Sequence, residues 1–140
     1  MTTWMVVEDE PDFYELVLAI YDTLGVDGLA FTNGEEAVSW IEDVDFGQLV
    51  TTNEELPQLA LLDIRLPGFV SGVEVSRRLR ESHVLGNIAI VLMTAYHLNL
   101  KEKKQVMEMA GCDLLMQKPL PHPDKFKQIM EDLVRQRMEQ

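Results

Sequence analysis

At 140 residues, 46% of them hydrophobic, the chain has room for one packed domain and little more. Its longest apolar stretches fall well short of the ~18 residues that a membrane span needs, and acids rather than basic residues open the N-terminus, so the expectation is a cytoplasmic protein. A formal net charge of −12 repels a polyphosphate backbone and argues against direct nucleic-acid binding, while a single cysteine, Cys112, excludes an internal disulfide or a cysteine-based metal cluster.

Strand-like and helix-like segments alternate along the chain. Thr3 to Val7 reads as a short strand, followed by Glu8, Asp9, Glu10 and Pro11. From Phe13, the residues Leu16, Val17, Ile20 and Leu24 recur at helical spacing until Gly25 stops the run. Leu29 to Phe31 is a second strand, and Asn33 with Glu36 three residues on predicts a capped helix through Ala37, Trp40 and Ile41. The polar, turn-rich stretch from Asp43 to Gln58 reads as an enlarged connection, about ten residues longer than such folds use.

Leu59 to Leu62 is a continuous apolar run that stops at Asp63, as a strand covered on both faces would. Ser71 and Glu74 predict a second capping box, with a helix through Val75, Leu79 and Ser82. Ile88 to Met93 is the most apolar strand, and Leu98 to Ala110 is a helix ended by Gly111. Asp113 to Gln117 is a last strand, and Pro121 or Pro123 opens a final helix. Five βα units in sequence imply a parallel sheet with helices on both faces, because parallel strands need crossover connections.

Ligands of such folds bind beyond the carboxyl ends of the strands. Those ends carry Glu8 and Asp9 after the first strand, Asp63 at the third, Thr94 at the fourth and Lys118 at the fifth. Three carboxylates in one pocket repel each other and call for a cation. Mg²⁺, with its all-oxygen ligands and retained waters, suits a few carboxylates and a phosphate. With Mg²⁺ and Lys118 offsetting the charge of an incoming phosphoryl group, the Asp63 carboxylate can attack phosphorus and become an acyl phosphate.

Four stretches in this order resemble the response-regulator receiver domain of two-component signalling, of the chemotaxis-regulator type. They are VVEDEP from Val6 to Pro11, LLDIRLPG from Leu61 to Gly68, VLMTA from Val91 to Ala95 and QKPL from Gln117 to Leu120. The resemblance runs over nearly the whole chain. It implies a flavodoxin-like, doubly wound sheet of five parallel strands in the order 2-1-3-4-5. The sequence given ends soon after the fifth helix, so residues 1–140 are expected to be a single receiver without an output domain, either stand-alone or a piece of a longer regulator or kinase. The resemblance implies that Asp9, Asp63 and the backbone carbonyl of Arg65 bind Mg²⁺ directly, and Glu8 through water. Thr94 and Lys118 would hold the phosphoryl oxygens, and the Lys118–Pro119 bond would be cis. The implied partners are a sensor histidine kinase or phosphotransfer protein as phosphoryl source, and a downstream protein. The implied chain is not an enzyme, although it slowly removes its own phosphoryl group.

The chain departs from the family pattern at three places. Leu115 stands three residues before Lys118, where the family carries a switch aromatic; Tyr96, two residues after Thr94, is the substitute within reach. The 43–58 segment is long, and the loop from Pro67 to Glu74 holds one extra residue. These departures leave an alternative open: a pseudo-receiver, an interaction module that keeps the fold without control by phosphorylation. A phosphatase would want a second acid where Arg65 stands, and a flavin carrier would not place Glu8 and Asp9 after its first strand. His83, His97 and His122 show no ligand spacing and are expected at the surface.

Overall fold

The computed structural model describes residues 2–47 and 56–139. Ten elements follow one another: β1 (Thr3–Val7), α1 (Pro11–Thr23), β2 (Asp27–Phe31), α2 (Gly34–Asp45), β3 (Leu59–Asp63), α3 (Gly72–Glu81), β4 (Ala89–Thr94), α4 (Leu100–Ala110), β5 (Leu114–Gln117) and α5 (Pro123–Met138). The strands form one sheet in the order β2-β1-β3-β4-β5, every neighbouring pair parallel. The expected doubly wound order is therefore the observed one.

The two-residue period of a strand divides the core. Met5, Val7, Ala60, Leu62, Ile90, Leu92 and Leu115 face one side, where Ala37 and Ile41 of α2, Val75 and Leu79 of α3 and Ala110 of α4 cover them. Trp4, Val6, Leu59, Leu61, Val91 and Met93 face the other, under Val17, Ile20 and Tyr21 of α1 and Phe126 and Met130 of α5. With both faces covered, β1, β3 and β4 are buried along their full length, which is why they read as apolar runs rather than alternating ones.

Boundaries differ from the sequence reading where side chains cap the backbone. α1 starts at Pro11 rather than Phe13, because the Glu10 carboxylate accepts from the N–H groups of Asp12 and Phe13. α2 runs on through Asp45, so the Asp43–Asp45 part of the expected connection is helical; its residues 48–55 lie outside the described ones. Ser82 caps the end of α3 instead of continuing it, its hydroxyl donating to Asp45 at 2.5 Å. At Asn33 and Ser71 the side chain accepts from the N–H three residues on, but the reciprocal capping box is made at Asn99 and Glu102, where the sequence reading placed none. Asn99 fixes the start of α4 at Leu100, and Pro123 opens α5.

Candidate functional site

The parallel register delivers the carboxyl ends of β1, β3, β4 and β5 to one edge of the sheet. Val7 pairs with Leu62, Asp63 with Met93 and Thr94 with Gln117, so Glu8, Asp63, Thr94 and Lys118 lie side by side. The Lys118–Pro119 peptide bond is cis, as the resemblance implied.

Carboxylate oxygens of Glu8, Asp9 and Asp63 all lie within 4.8 Å of one another, Glu8 and Asp63 buried and Asp9 exposed. Glu8 has no accessible surface. Its Oε2 accepts from the Glu10 N–H at 3.1 Å, and its Oε1 accepts from Lys118 Nζ at 2.6 Å. Burial pushes the Glu8 carboxyl above its usual range and the nearby Asp63 pushes it further, against the opposing pull of Lys118. Lys118 also donates to Asp63 Oδ2 at 3.3 Å. Burial disfavours its charged form, but the bonds to Glu8 and Asp63 outweigh this and hold the ammonium above its ordinary range. Lys118 thus remains a cation at neutral pH, and one ammonium faces three carboxylates.

The surrounding positions are occupied by donors. Asp63 Oδ1 accepts from the Arg65 N–H at 3.3 Å. Thr94, 6% exposed, uses its Oγ1 to accept from the Tyr96 N–H at 3.0 Å, which leaves the hydroxyl proton available for donation. Arg65 turns its guanidinium onto the Tyr96 ring, 4.2 Å from the centroid, and so bridges the loops after β3 and β4. The loop after β3 is tied to α2, with the Phe69 N–H donating to Glu35 Oε2 at 2.9 Å and Gly68 at a positive φ of 82°. Leu115 does not border this pocket; it packs into the core under α2, α3 and α4.

Two residues near the pocket carry roles that the sequence reading missed. Glu10, grouped there with the acids after β1, is the N-cap of α1. Phe13 places its ring 4.1 Å from Lys118 Nζ. No local signal in the sequence links it to Lys118. The histidines stand apart: His83 and His122 are 75% exposed in their side chains, and His97 is exposed as well.

The sequence matches the response regulator receiver domain family over residues 4–131. The chain belongs to this family. A polar-differentiation response regulator, DivK of Brucella anthropi, is 29% identical over 119 residues, covering 85% of each chain, and its Brucella ovis counterpart is 28% identical over the same span. Among solved structures, the BeF₃-activated receiver domain of Klebsiella pneumoniae RstA superposes with a TM-score of 0.75 at 25% identity, covering 96% of this chain and 99% of that one. The receiver domain of a Pseudomonas aeruginosa sensor histidine kinase, with a magnesium ion coordinated in its active site cleft, gives 0.75 at 21% identity, covering 96% and 98%. Receiver domains act as phosphoacceptors in two-component systems and interact with histidine kinases or phosphotransfer proteins and downstream effectors. Among the described residues, no helix is long and apolar enough to cross a membrane.

Proposed function

We propose that Asp63 of this receiver accepts a phosphoryl group with the help of Mg²⁺ and thereby switches a protein-interaction surface. The observation that carries this reading is the charge imbalance at the sheet edge: three carboxylates within 4.8 Å and one ammonium among them. An all-oxygen, acid-rich donor set of this kind fits a hard divalent cation. Asp9, Asp63 and the Arg65 carbonyl would hold Mg²⁺ directly and Glu8 through water, and the ion would supply positive charge for the phosphoryl oxygens.

The chain's own groups do the rest. An Asp63 oxygen attacks phosphorus in line, the bond from phosphorus to the donor breaks, and its electron pair leaves with the donor, a phosphohistidine nitrogen of a histidine kinase or phosphotransfer protein. Lys118, 3.3 Å from Asp63, and the Thr94 hydroxyl would hold the phosphoryl oxygens where charge gathers. Slow hydrolysis of the acyl phosphate resets the domain. Arg65, laid on Tyr96 at the rim, restricts the path of water to it. This chemistry belongs to a cytoplasmic signalling chain.

Incubation with Mg²⁺ and acetyl phosphate tests the reading. The wild type is expected to gain one phosphoryl group that is labile to alkali and hydroxylamine, as an acyl phosphate is, and Asp63→Ala none; a folded wild type that takes up no label overturns it. The packing of Leu115 favours a second reading, a module that binds its partner without phosphate. Partner binding that is unchanged by Asp63→Ala would establish that one instead.

A further inference from the structure

We propose that Phe13 is the positioning residue for Lys118: its ring fixes the ammonium that meets the incoming phosphoryl group. The inference rests on the reading of Asp63 as acceptor and adds a residue to it from α1.

A lysine ammonium rides on a flexible four-carbon stem, so its position has to be set by what it touches. Lys118 Nζ meets Glu8 Oε1 at 2.6 Å, Asp63 Oδ2 at 3.3 Å and the face of Phe13, whose centroid is 4.1 Å away. The two carboxylates compete with a phosphoryl group for the same N–H donors. The ring does not, because it attracts the cation through its quadrupole and takes up no hydrogen bond. When the ammonium turns from carboxylate to phosphoryl oxygen, the ring is the contact that can stay.

The ring is itself held in place. Phe13 lies in the first turn of α1, where its N–H donates to Glu10 Oε2 at 2.7 Å, and it packs against the core that contains Val6 and Val17. The Lys118 side chain is only 16% exposed, and a cation–π contact strengthens as water is removed. Glu10 thus fixes the helix start, the helix start fixes the ring, and the ring fixes the ammonium.

A graded series separates this role from plain packing. Replacing Phe13 with phenylalanines of increasing fluorination keeps the shape while draining the quadrupole. The rate constant for Asp63 labelling by acetyl phosphate at saturating Mg²⁺ is expected to fall stepwise, by about fivefold overall, with thermal stability and Mg²⁺ affinity unchanged. Phe13→Leu should match the low end of the series and Phe13→Tyr should restore the rate. A flat series in a wild type that labels normally overturns the inference and leaves the acceptor reading intact. An arm without any phosphodonor decides the case in which the wild type does not label. The Lys118 ε-protons should show an upfield ring-current shift by NMR that disappears in Phe13→Leu, and absence of that shift in the wild type overturns the inference.

Discussion

The two edges of the sheet bury the same kinds of groups in opposite proportion. At the carboxyl edge, Glu8, Asp9 and Asp63 share one ammonium, from Lys118. At the amino edge, the single carboxylate of Asp113 faces two guanidiniums. Its Oδ2 accepts from Arg80 at 2.9 Å and from the Ile90 N–H at 2.9 Å, and its Oδ1 accepts from Arg137 at 2.6 Å. Arg80 goes on to donate to the carbonyls of Gly111, Gly86 and Ile88. One edge is short of positive charge and open to a cation. The other is satisfied, and ties the ends of α3 and α5 to the starts of β4 and β5. Buried charge thus has two uses in this molecule, a site and a brace, and the count of hydrogen-bond partners tells them apart.

The largest expected effect breaks the brace. Asp113→Ala removes the carboxylate that Arg80 and Arg137 share and should cost about 3 kcal/mol in denaturant unfolding. Asp63→Asn should change the stability of the metal-free protein by less than about 1 kcal/mol, since it removes one of three like charges along with one contact. Equal losses from the two substitutions would erase the distinction between the edges.

Mg²⁺ should act on one edge alone. At about five times its Kd it is expected to stabilise the wild type by about 1 kcal/mol, read as a rise in Tm. Asp9→Asn should abolish the rise and Asp113→Ala should retain it. Arg65→Ala tests the rim: with the guanidinium gone from Tyr96, the acyl phosphate should decay about threefold faster, followed by loss of label after removal of the donor. Unchanged decay would show that Arg65 does not screen the site.

The smallest effect is a pH dependence. The Glu8 carboxyl is raised above its ordinary value by burial, so the folded state holds its proton to higher pH than the unfolded one. Its contribution to stability is therefore fully present below about pH 4.5 and is lost as pH rises through the raised value. In metal-free buffer, Glu8→Gln should flatten the fall of stability over that window, and Mg²⁺ should reduce the fall in the wild type.

Much of the fold was legible because its signals are local. Apolar runs ended at chemistry-bearing residues, and glycines such as Gly25 and Gly111 stopped helices, both with positive φ. The pocket was legible because a parallel sheet carries every strand's carboxyl end to one edge, so position in the sequence stood for position in space. The brace was not, since Asp113 lies 33 residues from Arg80 and 24 from Arg137 with no periodicity linking them. Phe13 was hidden for another reason: its helical spacing accounted for it fully as a core residue, and no periodicity links it to Lys118 after β5.

The most direct test of the central claim is chemical mapping of the acceptor. After phosphorylation with Mg²⁺ and acetyl phosphate, borohydride reduction converts an aspartyl phosphate to homoserine, which peptide mass spectrometry locates. Homoserine is expected at position 63 alone, dependent on Mg²⁺ and on Lys118. Label at another acid of the pocket, or none in the folded wild type, would contradict the claim.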